Sequence, residues 1–320
     1  MIDTKHLQAL AAVITEQSFE KAARALFLTQ SAVSQRIRQL EEHIGQMLVV
    51  RSSPIRPTPA GMAALRHYRQ LTVLEESLFD ELAPGKNSEP VTMRLAVNAD
   101  SLDNWFLRSI PEILEKECVL LDLLVDDQSV THAYLRSGEV QGAITSTPAT
   151  FQGLLTHDLG DMEYLCVATP QFQARYCPQG FDRDTANRAP VVIFNHKDAL
   201  QHEFLRQRFG EEVRPPVHVM PSNISFQGLI LQGGAYGMVS RILAEPHLAR
   251  GELVDLAPGE ALRVPHYYQC WSLQSSLSRR VGDIIVRTAQ ANLIPRCPEC
   301  STPEPLAPGS PGERPSRPRE

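Results

Sequence analysis

Ten residues near the start of the chain carry side chains suited to reading nucleic acid: Thr29, Gln30, Ser31, Ser34, Gln35, Arg36, Arg38, Arg51, Arg56 and Thr58. Hydroxyls, amides and guanidinia hydrogen-bond base edges in a major groove and phosphates along its rim. At about 100° per residue, Ser31, Ser34, Gln35 and Arg38 share one face of a helix starting near Thr29, flanked by Arg36 and Gln39. Val33, Ile37, Leu40 and Ile44 fall on the other face. Glu41 and Glu42 come only at the far end, so the leading end approaches DNA without repulsion of its own.

Such a helix needs a brace. Ser18 is an N-cap candidate, and Phe19, Ala22, Ala23 and Leu26 follow at i, i+3, i+4 and i+7. The two alanines let a second helix cross closely, which makes the pair a helix-turn-helix with a recognition helix. The plainer reading is a helical hairpin with a solvated polar face. The small-residue crossing and the acid-free reading face together count against it. Arg51 to Gly61, RSSPIRPTPAG, places two arginines on a proline-stiffened hairpin that suits a wing on phosphates. Thr58-Pro59 then opens a long helix.

These first 82 residues resemble the N-terminal half of LysR-type transcriptional regulators. Leu95–Leu107, Leu123–Ser146 and Ala189–His196 are similar to the branch of that family that controls basic amino acid export and responds to lysine and arginine, the ArgP/LysG branch. The resemblance runs from residue 1 to about 292. It implies double-stranded DNA, a second copy of the chain (homodimer or homotetramer), RNA polymerase and a small-molecule effector, lysine or arginine, as partners of an activator. It implies no cofactor. One position departs from the branch, where Ile224 stands in place of an acid.

Composition agrees with a globular cytoplasmic protein: 320 residues, 42% hydrophobic, with no apolar run long enough to span a membrane and no signal-peptide pattern at the start. The net charge of −6 is unevenly placed. Residues 1–69 hold nine Lys/Arg against five Asp/Glu, a local +4, which leaves −10 for the remaining 251. A locally basic head meets DNA whatever the total. Six scattered cysteines, Cys118 and Cys166 among apolar neighbours, read as reduced core residues.

Four segments are expected in an α/β chain with room for two or three domains. Residues 1–58 form the winged helix-turn-helix, and 59–90 the linker helix with the hinge APGKNSEP. Residues 91–296 form a two-lobed effector domain of the periplasmic-binding-protein kind, and 297–320 a disordered proline-rich tail. Met62, Leu65, Leu71, Leu74, Leu78 and Leu82 make a stripe on the linker helix. An antiparallel copy from a second subunit would bury it; packing against the same chain's C-terminal domain is the alternative. Beyond Val91, strands alternate with helices, which implies a parallel sheet. Residues 101–117 read as one helix. Lobe 1 spans about 91–163 and 268–296, lobe 2 about 164–267.

Ligands of such sheets sit beyond the carboxyl ends of strands. That rule selects Asn98, Asp100 and Ser101 after the first strand, Asp126 and Asp127 after the second, Ser146 and Thr147 after the third, and Ser222 with Asn223 in the other lobe. Hydroxyls and amides suit an α-carboxylate, and the aspartates suit an ammonium or guanidinium. Each residue alone is equally well read as a helix cap. Neither a GxSxG elbow, a P-loop, HExxH nor GxGxxG occurs, so an enzyme is not expected, and Cys297-Pro-Glu-Cys300 lacks the second pair of a zinc site. A thiol-redox-sensing regulator, or a ligand-independent nucleoid or replication-initiation protein, stays as the alternative. The first would need a thiol with a lowered pKa, and Arg175 near Cys177 is its one hint.

Overall fold

The computed structural model describes residues 2–82, 90–125, 128–210 and 213–296. Close packing divides the chain into two units. The first holds the chain up to Ser101, then Phe106–Asp158 and Tyr267–Thr288. The second holds Leu102–Trp105, Leu159–His266 and the chain from Ala289.

The first unit begins with α1 (Thr4–Glu16), α2 (Phe19–Ala25) and α3 (Gln30–Ile44). Each starts at a side-chain cap: Asp3 accepts from Lys5 N, Ser18 from Lys21 N, and Thr29 from Ala32 N. Gly45 ends α3 in the left-handed conformation (φ 75°), which a side chain disfavours. Leu7, Leu10, Val13, Ala22, Ala23, Val33, Ile37 and Leu40 form the buried core between the three helices. A two-stranded wing follows, β1 (Val49–Val50) antiparallel to β2 (Arg56–Pro57), and then α4 (Pro59–Leu82). Gly61 makes the docking of α4 on the wing possible. A Cβ there would lie 2.0 Å from the Leu48 carbonyl oxygen.

The leucine stripe of α4 divides in two. Leu65 is buried and Leu71 half-buried, both against the helix-turn-helix core, whereas Leu74, Leu78 and Leu82 are exposed. The expected seam is therefore shorter than the sequence suggests, because its first half serves the chain's own core. The hinge residues 83–89 lie outside the described residues.

The rest of the first unit carries β3 (Val91–Val97), α5 (Ala99–Asn104), α6 (Ile110–Lys116), β4 (Val119–Val125), α7 (Gln128–Ser137) and β5 (Gly142–Thr145). The single helix expected over 101–117 is two helices joined by a 3-10 turn at Phe106–Arg108; Pro111, which lacks an N–H, opens α6 instead of continuing α5. The chain passes into the second unit inside β6 (Leu154–Ala168), between Asp158 and Leu159. It returns inside β11 (Leu262–Trp271), between His266 and Tyr267.

Between these strands run α8 (Pro170–Tyr176), α9 (Arg183–Arg188), β7 (Val191–Ile193), α10 (Leu200–Phe209), β8 (Val217–Val219), α11 (Asn223–Leu231), β9 (Gly237–Ser240), α12 (Arg241–Ala249) and β10 (Val254–Asp255). Helix α13 (Ser276–Asn292) closes the fold. The expected parallel sheet is mixed. β3 lies parallel to β4 and β5, and β7 to β8, while β5–β11, β6–β9 and β6–β10 are antiparallel. Cys166, Cys177 and Cys270 are buried. Cys118, expected in the core, is exposed in the turn before β4. Among the described residues no helix is long and apolar enough to cross a membrane.

Candidate DNA interface and effector residues

The polar face of α3 points outward. Thr29, Gln30, Ser31, Gln35 and Arg38 are exposed, and Ser34 and Arg36 are half-buried at the edges of the stripe. Thr29 Oγ1 lies 3.0 Å from Ser31 Oγ as it caps the helix. Arg51 and Arg56 are exposed on the wing, and the Arg51 guanidinium lies over the Phe19 ring, 5.6 Å from its centroid. Phe19, Gln30, Ser34, Arg51 and Ser52 together line a notch of about 280 Å3 between α3 and the wing. Thr58 is different. Its hydroxyl donates to Met47 O at 2.7 Å and accepts from Gly61 N at 3.0 Å, so it holds the wing to the start of α4.

Two residues here escaped sequence reasoning. Glu41 lies in the last turn of α3, where the helix dipole disfavours an acid. It is buried, and its Oε1 accepts from Leu48 N at 2.8 Å and Val49 N at 3.4 Å, tying recognition helix to wing. An acid placed against the dipole was the available signal. Phe27, in the turn before α3, is 95% exposed with φ 54°, a conformation costly for a bulky side chain.

In the first unit the parallel register aligns Val97 with Val125 and with Ile144, so the ends of β3, β4 and β5 lie at one edge. Asn98 leaves β3 there, Asp100 and Ser101 lie in the first turn of α5, and Ser146 and Thr147 follow β5. Asn98 Oδ1 and Ser101 Oγ are buried without a hydrogen-bond partner among the described residues. A buried polar atom in that state costs about 1–3 kcal/mol unless something bonds it. Asp126 and Asp127 lie outside the described residues.

His132, on α7, is an unforeseen neighbour of this edge, with Nε2 2.9 Å from Thr147 O. Burial lowers its pKa, the Thr147 contact opposes this, and Arg136 lowers it further. The ring is held toward its neutral form. In the second unit, Ser222 caps α11 and Asn223 donates from Nδ2 to the Asp103 carboxylate. Asp103 was not foreseen, since its partner is 120 residues away. Ile224 is 88% exposed in the first turn of α11.

The lowered thiol pKa that the redox-sensing alternative needs is not found at Cys166, Cys177 or Cys270. Burial pushes Cys177 and Cys270 up to about 11 and Cys166 well above its ordinary value. Arg175 is turned toward the Tyr176 ring, 5.0 Å from its centroid. Among the described residues no cluster of His, Cys, Asp or Glu is arranged to hold a metal ion. Residues 297–320, with Cys297 and Cys300, lie outside the described residues.

Residues 4–62 match the model of the bacterial regulatory helix-turn-helix proteins of the lysR family, and residues 91–289 match the LysR substrate binding domain. The chain belongs to the LysR family. It is a LysR-type transcriptional regulator. Over 295 residues it is 38% identical to the HTH-type transcriptional regulator ArgP of Aeromonas salmonicida, a match covering 92% of this chain and 99% of that one. The crystal structure of ArgP from Mycobacterium tuberculosis superposes with a TM-score of 0.85 at 36% identity, covering 92% of this chain and all of that one. Full-length LysG of Corynebacterium glutamicum with bound effector Arg gives 0.78 at 33%, with the same coverage. As a LysR-type regulator the chain joins a helix-turn-helix domain and a substrate binding domain in one polypeptide.

Proposed function

We propose that this regulator senses a basic amino acid, lysine or arginine, and controls transcription of a gene for its export or metabolism. The carrying observation is the pair of buried, unpartnered side-chain atoms, Asn98 Oδ1 and Ser101 Oγ, at the shared edge of β3, β4 and β5. One is an acceptor suited to an ammonium, and the other is a hydroxyl that can donate to a carboxylate. Asp100 adds a negative charge one residue from Ser101. The arginine-bound relative at 33% identity supports the same chemistry.

On this reading residues 1–58 bind double-stranded DNA in the cytoplasm, through Gln30, Ser31, Ser34, Gln35, Arg36 and Arg38 on α3 and Arg51 and Arg56 on the wing. Residues 59–90 pair two copies along Leu74, Leu78 and Leu82, and two such dimers can form a tetramer. The effector acts by population shift. It binds one arrangement of the effector domain better than another, changes how copies pack, and so changes the spacing and bend imposed on DNA and the contact with RNA polymerase.

Calorimetry with lysine, arginine and norleucine tests this. Lysine or arginine should bind more tightly than norleucine, and Asp100→Asn should weaken the basic ligand at least about tenfold while DNA binding survives. Equal or tighter binding of norleucine would sink the basic-effector reading and leave the regulator standing.

A further inference from the structure

The first unit contains a cavity that neither the DNA face nor the strand-end residues use. It measures about 390 Å3 and lies among α4, the start of β3, the turn after α7 and the segment after β11. Its lining is cationic. Arg66 and Arg69 come from α4 and Arg94 from β3, against one carboxylate, Glu139, among the described lining residues. Arg94 is also paired with Asp122 at 2.7 Å, in a contact that both partners leave partly exposed.

Two of the three arginines are held in place. Arg69 donates from Nη1 to the Ser137 carbonyl, and its stem runs over Gly138. Arg94 is fixed by its backbone, which exchanges hydrogen bonds with Gln141. Burial lowers the Arg69 pKa; Glu139 opposes this and the Arg94 charge adds to it. Two guanidinia thus bear on each other with Glu139 as the counterweight. Trp271, whose Nε1 donates to Leu135 O at 3.1 Å, turns its ring into one wall.

We propose that this cavity is a second ligand site, for a small polyanion bearing carboxylate or phosphate groups. Guanidinium forks match both groups in pairs of parallel hydrogen bonds. An amino acid with a cationic tail has the wrong charge for it, so this site stands apart from the effector reading. Arg66 and Arg69 belong to the helix that carries the DNA-reading domain, and Arg94 belongs to the effector domain's first strand. An anion gripping both favours one arrangement of α4 on that strand, and its binding is thereby linked to DNA affinity.

The test uses the full chain, with citrate and pyrophosphate titrated at constant ionic strength and Trp271 fluorescence as reporter. Saturable quenching is expected, and the stronger of the two anions tells whether carboxylate or phosphate is preferred. Arg66→Gln and Arg94→Gln should each raise the dissociation constant at least about tenfold. Gln70→Glu, which adds a negative charge to the lining without removing a cation, should do the same and covers the case in which an arginine variant fails to fold. Arg51→Gln with Arg56→Gln should leave the anion dissociation constant unchanged. Trp271→Phe should abolish the signal while calorimetric heat persists. Absence of saturable binding by both anions overturns the proposal. So does binding that survives Arg66→Gln, Arg94→Gln and Gln70→Glu but is lost with Arg51→Gln and Arg56→Gln, since that places the anion on the DNA face.

Discussion

On the proposed function, the outer face of α3 and the edge where β3, β4 and β5 end are opposite solutions to recognition. On α3 the polar groups are mostly exposed, close together in sequence and backed by a hydrophobic stripe that fixes their direction. At the strand edge they are few and deeper, with Asn98 Oδ1 and Ser101 Oγ buried and Ser146 half-buried, and they come from segments 48 residues apart in sequence, between Asn98 and Ser146. DNA is a large polyanion and rewards many shallow contacts, so a helix face suffices. A small zwitterion must be desolvated and held at both ends, which takes buried polar atoms from several strand ends.

Changes in one region should therefore leave the other untouched, and the largest effect should come from assembly. Leu78→Asp puts a carboxylate on the exposed part of the α4 stripe, where Leu78 is 51% exposed. If that stripe is a helix–helix seam, an unpaired charge there costs about 3–5 kcal/mol, and dimers dissociate. Operator affinity should fall steeply while lysine calorimetry stays as before. Sedimentation checks it, and a variant that remains dimeric moves the seam elsewhere.

Next in size is Glu41→Ala, which strips the Leu48 and Val49 amides of their acceptor. The chain should lose about 2–3 kcal/mol of stability, read as a lower melting temperature, with operator binding weakened and effector binding intact. A melt indistinguishable from wild type would show that water replaces the carboxylate.

A proton sharpens the contrast from the buried side. Burial pushes His266 down to about 4, the Val264 carbonyl opposing and Arg296 adding to the effect. An unfolded imidazole titrates near about 6.5. Between these values the unfolded chain takes up a proton and the folded chain does not. This contribution to stability is therefore whole above about pH 6.5 and declines as pH falls toward 4, by roughly 3 kcal/mol at most. Denaturant melts at pH 5 and pH 7.5 should differ accordingly, and His266→Gln should narrow the difference. A variant with the same pH slope as wild type assigns that slope to other groups.

The smallest effects are local to DNA. Gln35→Ala should relax sequence preference at one base pair by about 1–3 kcal/mol, measured on a panel of operator variants. Arg56→Ala should weaken all sequences alike and flatten the salt slope by about one unit. Specific binding untouched by Gln35→Ala would move base reading to other residues, with Phe27 the first to examine.

The same contrast explains what the sequence made legible. The caps at Ser18 and Thr29 and the stripe Val33–Ile37–Leu40 are local patterns, and the structure repeats them. Alternating strands and helices located the ends of β3 and β5, because strand ends are also local. What depends on distant partners was hidden. Leu71 looks like its neighbours on the stripe, and only packing shows that it belongs to the helix-turn-helix core. Cys118 sits in an apolar stretch but falls in a turn. His132 meets Thr147 and Asn223 meets Asp103 through the fold, with no trace in spacing. Asp126 and Asp127 fall outside the described residues, so the sequence alone speaks for them.

The Glu41 clasp has a thermodynamic consequence. A wing free to swing would have to be immobilised on the duplex, and part of the binding energy would be spent on that ordering. With Leu48 and Val49 already bonded to the last turn of α3, wing and reading helix arrive as one piece. On the proposed function their docking on DNA is then rigid-body association, with a heat-capacity change set by the surface covered and no folding contribution from the wing.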